Sequence, residues 1–253
     1  MIKSISRRRA LVAGGATLAL GGIGWSQIGR AYAQGDVKDG GRLKGVLRFT
    51  GAAPAEDSVS ISKDSHICGV GEVNPNPLTI GADGALKDGV VALRKVEAGK
   101  PWPAAMTQPK IDQKRCLFEP FVQVAPKGAE LTIVNHDPLL HNIHTYEQIG
   151  RARRTLFNIA QPMAGQTDIA PLKVRRGFVV EIDCDAHNWM SAWIYTADHP
   201  YVAATDADGL FDITDVPPGN HELVMWHPIL GEVTREITLA AGETLDLSLD
   251  MKA

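Results

Sequence analysis

Short apolar stretches, each bounded by Gly, Pro, Asn or Asp, recur along most of this 253-residue chain. Clear examples are "GRLKGVLRFTGAAP" (41–54), "ELTIVN" (130–135), "SAWIYTAD" (191–198) and "TLDLSLDM" (244–251). Alternating apolar residues between turn formers are typical of β-strands. The pattern therefore predicts an all-β protein with a β-sandwich architecture. Residues 136–170 are less regular, and we expect mostly loop there, with a helical turn in "YEQIGRARRTLF".

Residues 1–33 have the features of an export signal. Arg7 and Arg8 precede an apolar, Gly- and Ala-rich stretch, and "AYA" at 31–33 resembles a cleavage site. The paired arginines predict twin-arginine export to the periplasm, with an ordinary secretory signal or an uncleaved anchor as alternatives. Without this segment the chain has 21 basic and 29 acidic side chains, a net charge of −8. That balance argues against a nucleic-acid binder, and no other apolar run could span a bilayer.

The chain has three cysteines, Cys68, Cys116 and Cys184. Oxidising compartments favour disulfides, and an odd number leaves one thiol unpaired. Two pairings are open: Cys68 with Cys116, which leaves Cys184 free, or Cys184 with Cys116. The residues around Cys184 favour the first pairing.

These residues are "CDAHNWM", in which Cys184, His187 and Met190 follow one another at equal spacing in a loop after a strand. A thiolate, an imidazole and a thioether together select copper over hard cations. A trigonal site needs a second histidine, and "NHDPLLHNIH" (135–144) offers His136, His141 and His144. His141 and His144 would point to opposite faces of a strand, so one ion should take one of them. The residues alone leave His141 and His144 as rivals for this position.

The stretch "FVQVAPKGAELTIVNHDPLLHNIH" followed by the Cys184-His187-Met190 loop resembles a cupredoxin of the amicyanin and pseudoazurin type, over residues 89–200. The resemblance implies a Greek-key β-sandwich with one type 1 copper ion held by His141, Cys184, His187 and Met190. Asn142 is expected to form an outer hydrogen bond to the cysteine loop, the alternative being an ordinary turn asparagine. Two departures are Asn188, where the family commonly has Pro, and the Arg-rich "GRARR" between His141 and Cys184.

Near the C-terminus, "TDADGLFDITDVPPGNHELVMWH" (205–227) resembles a carboxypeptidase regulatory-like or transthyretin-like β-module, and residues 41–54 resemble its first strand. The predicted organisation is an export signal (1–33), an N-terminal β-segment (34–88), a cupredoxin domain (89–203) and a regulatory-like segment (204–253). The cupredoxin would lie between two halves of the module, or the module would follow it. The whole pattern is similar to exported proteins called methylamine-utilisation-like.

The resemblance implies one-electron transfer with a redox partner protein such as a cytochrome or a dehydrogenase, through an exposed edge of His187. Pro138, Leu139, Leu140 and Trp189 would then form a small apolar docking patch, the alternative being simple core or loop packing. Copper delivery without electron transfer is one alternative, and a structural sandwich without metal is another. The sequence contains no recognisable nucleophile elbow, metalloprotease motif or phosphate loop, so we do not expect an enzyme. His199 and His227 are expected to be structural, a second metal site with His144 being the alternative.

Overall fold

The computed structural model of this protein describes residues 32–253. They form twenty β-strands, one four-residue α-helix and two short 3₁₀ helices, so the predicted all-β class is confirmed. Apart from its last two residues, the predicted export signal lies outside the described part. None of the helices within residues 32–253 is both long and apolar enough to cross a membrane.

Strands and helices are labelled in chain order. The strands are β1 (Ala33–Gln34), β2 (Gly41–Phe49), β3 (Val59–Ser60), β4 (Glu72–Val73), β5 (Val90–Leu93), β6 (Ala98–Gly99), β7 (Lys110–Lys114), β8 (Leu117–Glu119), β9 (Val122–Pro126), β10 (Glu130–Asn135), β11 (His141–Ile149), β12 (Ala152–Gln161), β13 (Thr167–Pro171), β14 (Val179–Asp183), β15 (Ser191–Ala197), β16 (Val202–Ala204), β17 (Leu210–Val216), β18 (Gly219–His227), β19 (Gly231–Leu239) and β20 (Thr244–Met251). The helix α1 is Ser65–Cys68, and the 3₁₀ helices are Ala82–Gly84 and Ala104–Met106.

Two sheets form the first sandwich. One has the strand order β13-β10-β7-β8, and the other has the order β12-β11-β14-β15-β9. Alternate side chains of both sheets meet in a shared core, among them Leu131, Ile133, Ile143, Ile182 and Ile194, all fully buried. Because successive side chains of a strand point to opposite faces, each strand contributes every second residue to this core.

A second sandwich is built from the two ends of the described chain. Its sheets have the orders β16-β5-β18-β19 and β17-β2-β20. Strand β2 pairs with β17 on one side and in parallel with β20 on the other, from Arg42 opposite Thr244 to Phe49 opposite Met251. Leu43 and Leu47 lie fully buried in the core between these sheets. Residues 41–49 and 202–251 thus belong to one β-module.

Strand β5 lies where the two sandwiches meet. The sequence division assigns it to the cupredoxin segment, but it pairs with β16 and β18 of the second sandwich. Val91 faces the core of that sandwich, whereas Val90 packs in an interface cluster with Tyr195 of β15 and Trp226 of β18. A strand buried on both faces carries a continuous apolar run, and "VVAL" is such a run. The domain boundaries themselves stay a prediction.

The helical turn expected within residues 136–170 is wrong. This stretch forms the long hairpin β11–β12, with His141 opposite Gln161 at one end and Ile149 opposite Ala152 at the other. The turn needs a left-handed residue, which Gly150 supplies with φ of 61°. The charged residues that follow Gly150 lie on the half-exposed strand β12 rather than on a helix.

Candidate metal centre

The loop between β14 and β15 carries the three residues that the sequence singles out. It is closed by two backbone hydrogen bonds: the N–H of Cys184 donates to the Met190 carbonyl at 3.3 Å, and the N–H of Met190 donates to the His187 carbonyl at 2.9 Å. A loop this tight brings residues 184–190 together at one end of the five-stranded sheet. The side chains of Cys184, His187 and Met190 are 2%, 1% and 1% exposed.

His141 joins this loop from the first position of β11, which pairs with β14. Its Nδ1 atom lies 3.0 Å from Nδ1 of His187 and 4.0 Å from Sγ of Cys184, and His187 Nδ1 lies 3.9 Å from the same sulfur. These three atoms define a circle of radius about 2.1 Å, which matches metal–nitrogen and metal–thiolate bonds of about 2.0 to 2.3 Å. One ion at the centre would contact all three donors.

The outer nitrogens of both imidazoles are held by carboxylates. Nε2 of His141 lies 2.8 Å from Asp137, and Nε2 of His187 lies 2.9 Å from Asp64. Each carboxylate accepts a hydrogen bond from the Nε2–H group, so each Nδ1 atom keeps a lone pair for a metal ion. Two such lone pairs facing each other across 3.0 Å repel unless a cation lies between them. The donor set therefore fits a soft metal ion.

Asp137 is itself fixed by the chain next to the disulfide. Its carboxylate accepts backbone N–H bonds from Arg115 at 2.8 Å and from Cys116 at 2.9 Å. Burial alone would raise the pKa of Asp137, but the N–H of Cys116, the bond to His141 and the N–H of Arg115 hold it below its usual range. Burial also lowers the pKa of His141, and Asp137 only partly offsets this effect. Both groups therefore favour a neutral imidazole beside an ionised carboxylate.

The free thiol of Cys184 is buried beside the two imidazoles. Burial raises the pKa of this thiol, and nearby backbone groups only partly oppose the effect. A metal ion binds the thiolate, so binding would release the proton. Asn142 supports this atom, because its Oδ1 accepts from Sγ at 3.5 Å and from the N–H of Ala186 at 3.1 Å. This is the contact to the cysteine loop that the sequence predicts for Asn142.

The disulfide joins Cys68 to Cys116, and Cys184 is a free, buried thiol. The alternative pairing through Cys184 is therefore not formed. Met190 lies fully buried in the same apolar cluster as Cys184 and Trp189. Its role as an axial ligand stays a prediction.

The remaining histidines lie outside the cluster. His144 bonds Asp185 at 3.2 Å and stacks on Tyr146, and the exposed His136 bonds Asp112 at 2.7 Å. Three groups of close ligand atoms occur within residues 32–253: Cys68 with Cys116 and His187, His141 with Cys184 and His187, and Cys116 with Asp137 and His141. None includes His144, His199 or His227, so these residues form no second site in the described chain.

The exposed edge predicted for His187 is wrong. The imidazole is 1% exposed because Asp64 and its neighbours cover it, and Trp189 is 2% exposed. Of the predicted docking patch, Leu140 is the residue that reaches solvent as a large apolar side chain, at 48% exposure. Sequence reasoning missed Asp64 altogether. It also missed Asp137, although the position of Asp137 four residues before His141 was a usable signal.

Fold and site together define a β-sandwich protein with a buried donor set of two histidines and one cysteine. No protein-family model and no curated protein matches the chain. Among solved structures it is similar to a purple cupredoxin from Nitrosopumilus maritimus, with 19% identity over 35% of this chain and 99% of that one, at a TM-score of 0.29. It is also similar to a dithionite-reduced auracyanin from Roseiflexus castenholzii, with 13% identity over 36% of this chain and 97% of that one, at a TM-score of 0.30.

A third similar structure is a reduced Cu(I) form of an amicyanin mutant, with 16% identity over 42% of this chain and 98% of that chain, at a TM-score of 0.29. These scores are too low to support an argument about function. What the site can do therefore rests on its own geometry.

Proposed function

We propose that this chain is a periplasmic type 1 copper protein that carries one electron at a time. One observation carries the proposal: the buried Nδ1 atoms of His141 and His187 and the sulfur of Cys184 surround a point about 2.1 Å from each, a metal-bond distance. A thiolate with two imidazoles is the donor set of blue-copper sites.

Each residue has a defined part in this proposal. His141, His187 and Cys184 would hold the ion, and Met190 would be a further, weaker ligand. The bound copper would supply a Cu(I)/Cu(II) couple. Asp137 and Asp64 fix the orientation of the two imidazoles, and Asn142 fixes the sulfur. Because His141, His187 and Cys184 each have a partner, these three side chains would reorganise little when an electron is gained or lost.

The proposal also assigns roles to the second sandwich and to a partner protein. In the proposal the second sandwich is a carboxypeptidase regulatory-like module with a structural role, and the protein is not an enzyme. Its partner is a redox protein such as a cytochrome or a dehydrogenase. Because Asp64 blocks the edge of His187, that partner would have to approach over another face or after Asp64 has moved away.

The test is the visible absorption spectrum after Cu(II) is added to the metal-free protein. We expect a strong thiolate-to-copper band in the wild type and none in Cys184→Ser. His141→Gln should weaken or shift the band, whereas the matched variant His144→Gln should keep it, since His144 bonds Asp185 outside the cluster. A wild type that has a free thiol but shows no band would refute the copper site.

Copper delivery is the alternative, and the same ligands would suit it. Voltammetry separates the two functions, because an electron carrier cycles reversibly at one potential. A delivery protein loses copper rapidly to a competing chelator. Closure of the site over both histidines favours the carrier, since a buried ion leaves slowly.

A further inference from the structure

A small folded segment covers the metal centre. Residues 59–73, called the lid below, comprise β3, α1 and β4, with Val59 paired to Val73. Four of its apolar side chains pack against the core of the first sandwich: Val59, Ile61, Ile67 and Val73. Just beyond the lid, the side chain of Asn76 accepts hydrogen bonds from Ser191 and Trp193 at 3.1 Å. The lid is therefore a structured element seated on the sandwich.

Asp64 is the contact between the lid and the site. It caps α1 in a left-handed conformation, with φ of 51° and ψ of 32°, and its carbonyl accepts the N–H groups of Ile67 and Cys68 at 2.9 Å. Its carboxylate lies 2.9 Å from Nε2 of His187. The Asp64 side chain is 40% exposed while that of His187 is 1% exposed. Asp64 thus stands between the imidazole and solvent.

The disulfide ties the lid to the other half of the site. Cys68 ends α1, and Cys116 precedes β8 at the base of the first sandwich. The two sulfurs and a ring nitrogen of His187 lie within 4.8 Å of one another. On its far side, Cys116 donates its backbone N–H to Asp137, the carboxylate that holds His141. One continuous set of contacts therefore joins both imidazoles through the disulfide.

We propose that residues 59–73 form a disulfide-locked lid, in which Asp64 is a positioning residue for His187 and the Cys68–Cys116 bond controls access to the metal centre. With the bond formed, the lid holds Asp64 against His187 and excludes water and competing ligands. With the bond open, the segment is held only by its apolar contacts and by the bond between Asp64 and His187, so it lifts more often. Loading of the ion should therefore be fast before the disulfide forms and slow afterwards. This rests on the proposed copper site.

Asp83 offers a matched control for Asp64. It is also a left-handed aspartate, with φ of 52° and ψ of 27°, in the connection between β4 and β5. It is exposed, and its side chain makes no hydrogen bond within residues 32–253. Replacing it with alanine changes charge and backbone preference as Asp64→Ala does, but leaves His187 covered.

The experiment measures lid opening in metal-free protein, without reductant, as the rate at which iodoacetamide alkylates Cys184. We expect Asp64→Ala and the double variant Cys68→Ser/Cys116→Ser to react at least about tenfold faster than the wild type, equivalent to about 1.4 kcal/mol of opening free energy. Asp83→Ala should react at the wild-type rate. Equal rates in Asp64→Ala and the wild type would overturn the role of Asp64, and equal rates in the double variant would overturn the lock.

Hydrogen exchange separates lid opening from loss of the fold. Faster exchange confined to residues 59–73 and 184–190 is the expected result, with β14 still protected. If Asp64→Ala unfolds throughout, Asp64→Asn keeps the volume and removes the charge, and wild-type labelling in that variant would count against the proposal.

The labelling assay contains no copper, so it also separates the two proposals. Faster labelling in a protein that never forms the absorption band would leave the lid standing and the copper site refuted. An absorption band together with wild-type labelling rates in the variants would support the copper site and refute the lid. Where both hold, Cu(II) uptake should be at least about tenfold faster in the double variant than in the disulfide-bonded wild type.

Discussion

Glu147 gives the sharpest prediction about stability. This fully buried residue of β11 accepts backbone N–H bonds from Arg175 at 2.9 Å and from Gly177 at 2.8 Å, and a further one from Arg176. Arg154 donates to its other oxygen at 3.0 Å. Burial alone would raise the pKa of Glu147, but these donors outweigh it and lower the pKa from 4.5 to about 2.

The lowered pKa means that the folded state stabilises the ionised form of Glu147 relative to the unfolded chain. A pKa of about 2 in place of 4.5 corresponds to about 3 kcal/mol. This stabilisation is fully present above pH 4.5 and is lost as the pH falls toward 2. Glu147→Gln should therefore lower the free energy of unfolding by about 2 to 3 kcal/mol at pH 7. The difference between wild type and variant should shrink below pH 4.5.

Urea unfolding of both proteins at several pH values between 7 and 3 measures this difference, and comparing them cancels the titration of other groups. Glu181→Gln is the control of opposite sign, since burial and the neighbouring Asp183 raise the pKa of Glu181. That variant should keep or slightly gain stability at pH 7. A Glu147→Gln deficit that stays constant down to pH 3 would refute the electrostatic reasoning.

Three other predictions follow from single contacts. Asn142→Ala removes the acceptor for the Cys184 sulfur, so we expect a loss of about 1 kcal/mol in stability and a shift of the copper absorption band; an unchanged spectrum would count against its role. Gly45→Ala places a Cβ atom 1.9 Å from the carbonyl oxygen of Leu247, which should cost about 3 kcal/mol in urea unfolding; wild-type stability would contradict the close pairing of these strands. Thiol titration in denaturant should find one thiol without reductant and three with it, and three at the outset would mean that no disulfide is formed.

Local spacing made part of the candidate site predictable. Cys184, His187 and Met190 lie within one loop, so their approach depends on seven residues and little else. Strand alternation predicts that only one of His141 and His144 faces the ion, and the family resemblance favours His141. The structure buries His141 fully, while His144 bonds Asp185 outside the cluster. Periodicity of this kind depends on backbone geometry that any strand shares.

Long-range packing made the rest unpredictable. Asp64 lies 123 residues before His187 in the chain, in a stretch rich in turn-forming residues. Its position depends on how the lid sits on the sandwich, and no pattern of spacing encodes that. Strand β5 shows the same limit: "VVAL" predicts a buried strand, but not that its partners are β16 and β18.

The position of β2 has a consequence for the order of synthesis. This strand is made early, yet it lies at the centre of its sheet and pairs in parallel with β20, about 200 residues later in the chain. A ribosome must therefore release nearly the whole polypeptide before the second sandwich can close. Until then the core around Leu43 and Leu47 lacks the side chains that β20 contributes. Nascent chains stalled before Thr244 should accordingly bind chaperones and resist compaction.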